Sequence, residues 1–526
     1  MKRKIFSVLL AGIMIAGTVA GCGKNSSDSS ASGKGKEEPM TIQVNVRDTD
    51  KVIADKRTAV LEEMFNVKFD FVACNLNEIT EKNRVWVASG DMPEVMWMDH
   101  KVSRTNEVKE WIEAGAFKAF PEDFEEKYPN LAAVNNSIES NKTLFVDGQQ
   151  YIYLAPRGTS EFDDISAICF YYRADWAEEL GMYQDEYTWD EMVELIKAFI
   201  EKDPGGNGAG KTIGMVGCTW AFPGFAGVEQ CEPYWSSYKL VDGEYVWGAS
   251  LDSTIQGIVE AKKLYDEGII WKDQPLISSD TDAWARYESG QSGIVYGNMN
   301  TLQIESVMTE MLKADPTLDI TKACKFMKVK TPDGKVCVEK TEDYYGGWGF
   351  SQNISDEKQA RFLEIMDYIA SEEGQNMYHF GIEGEDFEIR DGEVELLWEK
   401  DENGKYISPF ESGSDRLFSF VELSDGVSHT LPSVMQEARD SRMEQIEYFT
   451  DNPDLIYADI DYNLNAFSAP NKDKYSSLGT EVSDKIIELM LSSSPDTIEE
   501  EYREWLKDTQ AKADSVLEEL NQEYLK

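Results

Sequence analysis

Between Thr41 and Met98 the spacing of apolar residues switches four times between a period of two and a period near 3.6, a rhythm that confines the chain to very few folds. Thr41 to Val46 alternates as a strand and breaks at the polar run Arg47, Asp48, Thr49 and Asp50. Residues 51 to 66 set Val52, Ile53, Ala59, Val60, Met64 and Phe65 among charges, as a helix does, and Asn66 to Val72 alternates again. Residues 78 to 89 read as a second helix, Gly90 to Pro93 as a turn, and Glu94 to Met98 as a third strand. Strands separated by helices pair in parallel, so the class is α/β. Ligands of open α/β sheets sit beyond the carboxyl ends of the strands, which makes Arg47, Asp48, Asp99 and His100 candidates for a cleft edge; the ordinary reading of each is a solvated loop residue.

Ahead of this unit, Lys2, Arg3 and Lys4 precede an uncharged, mostly apolar stretch from Ile5 to Ala20, too short and Gly-interrupted for a membrane span. The run Val19-Ala20-Gly21-Cys22 resembles a bacterial lipobox. Residues 1 to 21 are therefore expected to be a lipoprotein signal peptide, and Cys22 the lipidated mature N-terminus. Residues 22 to 40, rich in Gly, Ser and charge, are the expected flexible tether to the extracellular face of a bacterial cell membrane. The remaining chain, about 490 residues, exceeds what one hydrophobic core serves and calls for two or more lobes.

Formal net charge is −47, and loss of the signal segment takes it to about −50. Such a surface repels polyanions, which excludes nucleic acid, disfavours acidic sugars and suits neutral or cationic ligands. Cys74, Cys169, Cys218, Cys231, Cys324 and Cys337 show no CxxC or metal-ligand spacing and read as buried thiols. Local bridges Cys218–Cys231 or Cys324–Cys337 are the alternative. His100, His379 and His429 lie far apart, leaving no material for a histidine triad. No cofactor is expected.

Four further segments are more specific. Tyr171-Tyr-Arg-Ala-Asp-Trp-Ala-Glu-Glu-Leu-Gly-Met182, followed by Tyr187-Thr-Trp-Asp-Glu191, resembles the "RxDWxxxLG" helix and "T-W/x-D-E" helix start of family 1 extracellular solute-binding proteins of the oligosaccharide class. Thr188 and Glu191 stand at capping-box positions in their own right. Lys202 to Met215 is similar to the family's "DPDGNGxxDTxG" loop, which holds calcium in some members. Asp203 and Asn207 fit that pattern, but Gly205 and Lys211 stand where Asp is usual. The loop is therefore expected to hold no metal, with Lys211 in the ion's place. Asp356 to Gly374 with Phe380-Gly-Ile-Glu-Gly384, and the charged amphipathic stretch from about 499 to 526 with Tyr502 and Trp505 turned inward, resemble the family's late helix, its "GxEG" turn and its closing helix.

The resemblance implies a two-lobed periplasmic-binding-protein-like fold, with hinged lobes and a ligand cleft between them. Residues 41–160 would form the first part of the N-lobe and 161–300 the first part of the C-lobe. Residues 301–385 would mainly return to the N-lobe, and 386–526 mainly to the C-lobe and closing helices. It implies a lipid-anchored receptor of an ABC importer that captures a carbohydrate, an oligosaccharide foremost, and hands it to permease subunits and their ATPase. A sugar cleft needs aromatic faces and planar polar groups. Trp220, Phe222, Trp235 and Trp348, in Gly-rich surroundings, are the stacking candidates, with core packing as the alternative; Trp176, Trp189 and Trp505 sit in helices and read as structural. Trp284 precedes a Gly-Gln-Ser-Gly turn, Asn298 and Asn300 follow the strand Ile294 to Tyr296, and Arg157 follows Tyr151 to Pro156; these complete the candidate set. The competing readings are a binder of peptides or another solute and a secreted glycan-active enzyme. The second finds no G-x-S-x-G elbow or other catalytic signature. With no heptad repeat, a monomer is expected.

Overall fold

The structure, a computed structural model, describes residues 38–47, 54–99, 104–157, 165–340, 342–401, 406–410, 416–421, 431, 433–450, 452–458 and 460–526. The signal segment, Cys22, most of the tether, Asp48, His100 and His429 lie outside the described residues.

The strand Met40–Arg47 forms because Ile42, Val44 and Val46 send every second side chain into the core. It pairs in parallel with Val67–Cys74, Met40 opposite Val67 and Arg47 opposite Cys74. The intervening helix Lys56–Phe65 starts where Asp55 accepts from the Arg57 amide at 2.8 Å and stops at Asn66, which takes a left-handed φ of 49°. Helix Leu76–Ser89 returns the chain to Val95–Met98 on the other side of the first strand, also parallel. The sheet then continues antiparallel: Tyr344–Ser351 pairs with Val95–Met98, and Phe117–Lys118 and Ile152–Pro156 pair with it in turn.

The Gly-rich run around Trp348 is thus the central antiparallel strand of this sheet rather than a loop. A Cβ on Gly346, at φ 77°, would lie 2.6 Å from the Met98 carbonyl, and one on Gly349 2.8 Å from the Ile152 side chain. Glycine is what lets these backbones meet. Trp348 itself is fully buried, stacked on Tyr153 at 5.0 Å, with its indole N–H donating to the Phe420 carbonyl at 3.0 Å.

A second sheet runs in the order Lys325–Phe326, Ile168–Tyr172, Ile294–Asn298, Val216–Gly217. Ile168–Tyr172 is antiparallel to Ile294–Asn298, Ile168 facing Asn298, and Val216–Gly217 is parallel to it. The amino end of Ile168–Tyr172 therefore meets the carboxyl ends of the other two. Helix Trp189–Lys202 packs on this sheet, opened by the expected capping box: the Thr188 amide donates to Glu191 at 2.8 Å and the Glu191 amide to the Thr188 hydroxyl at 3.3 Å. The closing helix Ile498–Glu519 does bury Tyr502, whose hydroxyl donates to the Ala249 carbonyl at 3.1 Å, while Trp505 packs near Trp247.

The lobe boundaries differ from the expected ones. Helix Thr301–Ala314 and strand Lys325–Phe326 stay with the second lobe, so the return to the first begins at Tyr344 and not near residue 301. Asp386, Phe418 and Phe420 remain there as well: Asp386 pairs with Lys56 at 2.6 Å, and Phe418 and Phe420 fill the first lobe's core beneath Trp348. Helix Gln436–Thr450 then rejoins the second lobe through Ala438 and Phe449.

The chain crosses from the first sheet to the second after Pro156 and back after Glu339. Strand Val336–Glu339 pairs in parallel with Leu455–Ala458, and Ile165 bridges Lys340. Asp343 laces the crossings together. Its carboxylate accepts from the Ser140 amide and hydroxyl at 3.1 and 2.7 Å, its amide donates to the Tyr462 hydroxyl at 2.8 Å, and its carbonyl accepts from the Arg157 amide at 3.1 Å.

All six described cysteines are free thiols, five of them buried and Cys337 half-buried. Burial pushes the Cys169 and Cys218 thiols up to about 12.

Candidate functional site

Where the carboxyl ends of Val216–Gly217 and Ile294–Asn298 meet the amino end of Ile168–Tyr172, a cavity of about 450 Å³ opens in the second lobe, walled on one side by Val336 and Val338 of a crossing strand. Its other walls are aromatic. Trp220, 41% exposed, follows the strand Val216–Gly217 and stands edge-on to Tyr296 at 5.7 Å; Tyr296 in turn lies 4.6 Å from Phe170. Trp235 is half-buried against helix Ala221–Val228. A Cβ on Gly227 would lie 2.7 Å from its indole, so that glycine sets how closely the ring lies.

Polar groups in the lining are few. Glu232 is 3% exposed; its Oε2 accepts from Lys239 Nζ at 2.9 Å and from the Ser253 hydroxyl at 3.0 Å. Its Oε1, and the indole Nε1 of Trp189, are buried with no hydrogen-bond partner among the described residues. Among the described residues no lysine, arginine or histidine lines the cavity, and no group of His, Cys, Asp or Glu is arranged to hold a metal. Apolar faces with a few fixed polar atoms can hold a ligand by stacking and hydrogen bonding.

Of the residues singled out from the sequence, Trp220 and Trp235 line this cavity. Asn298 is exposed at the end of its strand, two residues beyond Tyr296. The remainder are placed elsewhere. Phe222 is 2% exposed and packs edge-on to Tyr265 in the core. Trp284, on helix Asp280–Glu288, is buried over Gly297, where a Cβ would lie 2.5 Å from the indole. Trp348 is core, as described above. Asn300 caps helix Thr301–Ala314, accepting from the Gln303 amide at 2.9 Å. Arg47 ends its strand in the first lobe. Asp99 holds a loop there, its carbonyl accepting from Arg104 at 2.8 Å, and Arg157 lies over the Tyr345 ring at 5.4 Å. Neither Asp99 nor Arg157 lines the cavity.

Sequence reading missed Tyr296, Phe170 and Glu232, and took Trp189 as purely structural although it lines the cavity. The available signal was the alternation of Ile294, Val295 and Tyr296, which points Tyr296 to the face opposite Val295.

The loop after helix Trp189–Lys202 closes on itself. The Asp203 carboxylate accepts from the Asn207 amide at 3.0 Å, the Gly208 amide at 2.7 Å and the Thr212 hydroxyl, which hold it below the usual carboxylate range, the Thr212 bond foremost. The Asn207 side chain turns its NH₂ to Thr212 at 3.0 Å and to the Gly290 carbonyl at 2.8 Å. A donor thus stands where calcium needs an oxygen. Gly205 replaces the usual Asp because a Cβ there would lie 2.7 Å from the Trp176 ring. Lys211 is exposed and makes no ion pair among the described residues, contrary to the expectation that it replaces the ion. Adding calcium or a chelator is expected to move the melting temperature by less than about 1 °C; a larger rise with calcium would show that the loop binds it.

No family model matches the chain. The lipoprotein LipO of Bacillus subtilis (strain 168) is 27% identical over 414 residues, covering 74% of this chain and 75% of LipO. The polygalacturonan/rhamnogalacturonan-binding protein YtcQ of the same strain is 24% identical over 388 residues, covering 73% and 74%. Among solved structures, the alginate-binding protein AlgQ2 without calcium ion superposes with a TM-score of 0.68 at 16% identity, covering 93% of this chain and 99% of that one.

Proposed function

We infer that this chain, which in sequence and fold stands with the solute-binding proteins of ABC transporters, is the receptor that captures a carbohydrate for an importer. Relatives named for polygalacturonan and alginate binding support that cargo class. The observation that carries the reading for this chain is the aromatic cavity: Trp220, Trp235 and Tyr296 gather at the strand ends of one lobe, beside the crossings about which the lobes would close. Sugar rings present C–H faces to aromatics and hydroxyls to polar atoms, and closure removes both from water. YtcQ is named as a binding protein, and the cavity's chemistry favours holding over turnover.

Cys22 would carry the lipid, the tether would hold the lobes off the extracellular face of the membrane, and the closed monomer would hand its cargo to the permease and its ATPase. Fractionation should find the chain with the membrane, and Cys22→Ser should release it. The deciding test is titration calorimetry of the mature Cys22→Ser chain against oligosaccharide series and short peptides. Micromolar or tighter binding of one glycan series is expected. Binding of peptides with silence across glycans would overturn the carbohydrate reading and leave a receptor for another solute.

A further inference from the structure

Resting on that reading, the polar atoms of the cavity narrow the cargo. Glu232 is the one acid among the described residues of the lining, and it is nearly inaccessible to solvent. One of its oxygens is held from outside the cavity by Lys239 and Ser253, and the other has no donor among the described residues. Trp189, also 3% exposed, adds an indole N–H with no acceptor. A buried acceptor and a buried donor left unmade are costly, and a ligand that supplies the missing partners recovers that cost on binding. Sugar hydroxyls donate and accept alike, so one kind of group satisfies both atoms.

An acidic sugar meets the opposite situation. A uronate carboxylate in this cavity enters a desolvated space in which Lys239 is already paired with Glu232 at 2.9 Å and no lysine, arginine or histidine among the described lining residues is left to pair it, on a chain of net charge −47. We propose that the cavity selects an uncharged, hydroxyl-rich sugar and rejects uronates, with Glu232 and Trp189 as the residues that set this specificity. The cargo would then differ in charge from polygalacturonan and alginate, the polyanions for which two of its relatives are named.

The test is a calorimetric comparison of neutral oligosaccharides (malto-, fructo-, xylo-, manno- and arabino-series) with oligogalacturonates of equal length. It is run on the unsubstituted site, on Glu232→Gln and on Trp189→Phe, each checked for a native melting transition. A neutral series is expected to bind at least on the order of 100-fold more tightly than any oligogalacturonate. Glu232→Gln should narrow that gap by weakening the neutral sugar and admitting the uronate, and Trp189→Phe should weaken the neutral sugar about tenfold without favouring the uronate. Oligogalacturonates binding as tightly as the neutral series would overturn the proposal while leaving a carbohydrate receptor in place. Neutral binding untouched by both substitutions would overturn the assignment to these two residues. Silence from both glycan classes with peptide binding would instead bring down the carbohydrate reading itself. Should Glu232→Gln not fold, the panel on the unsubstituted site and Trp189→Phe decide the matter.

Discussion

Replacing Trp220 and Trp235 together with alanine is expected to weaken binding of the cognate glycan by about 4 kcal/mol, on the order of a thousandfold in Kd. Each indole offers a broad apolar face at the cavity, and buried aromatic anchors at a binding site are commonly worth about 2 kcal/mol. The two substitutions should differ in what else they cost. Trp220 is 41% exposed and touches chiefly Tyr296, so Trp220→Ala should leave the melting temperature nearly where it was. Trp235 also packs on the second lobe's core, so its removal should cost the fold about 1 to 2 kcal/mol besides affinity. Calorimetry with a melt on each variant separates the effects. A double variant that binds within threefold of the parent would remove this cavity from the recognition surface.

Trp348→Ala should do the reverse, destabilising the first lobe by about 3 to 5 kcal/mol while leaving Kd unchanged at temperatures where the protein is folded. The indole is enclosed by Tyr153, Phe120, Phe350, Phe362 and Phe420, with ring centroids 5.0 to 6.0 Å away, and little around it can collapse into the space it leaves. Its N–H also satisfies the buried Phe420 carbonyl, so even Trp348→Phe leaves an acceptor unpaired, at about 1 to 3 kcal/mol. Guanidinium unfolding followed by first-lobe and second-lobe probes would read the loss, since the lobes need not unfold together. Lost binding with undiminished stability would place Trp348 in the site after all.

That contrast marks where the sequence was legible. Periodicity exposed the parallel unit because Ile42, Val44 and Val46 alternate with polar residues along the first strand and Val67, Phe69 and Phe71 along the second, and the Thr188 cap announced itself through local chemistry. The tryptophans were harder. Glycine beside tryptophan suggested loops, yet Gly346, Gly349 and Gly297 mark places where a backbone or an indole occupies the volume a side chain would need. Trp284 and Trp348 are accordingly core, and the same logic explains Gly205 beneath Trp176. Glu232 carried no sequence signal at all, because nothing in Glu-Pro-Tyr-Trp says that one carboxylate oxygen will be left without a donor. Lobe membership after residue 301 was equally silent: a two-residue strand such as Lys325–Phe326 joins whichever sheet edge tertiary packing offers it.

The buried thiols have a further consequence. Because Cys74 ends the strand Val67–Cys74 in one lobe while Cys218 and Cys324 lie in the other, none accessible while its own layer is closed, each is a clock for the opening of the layer above it. Alkylation counted by mass, site by site, would date the loosening of the two lobes independently in a single tube, with no label introduced and no residue changed.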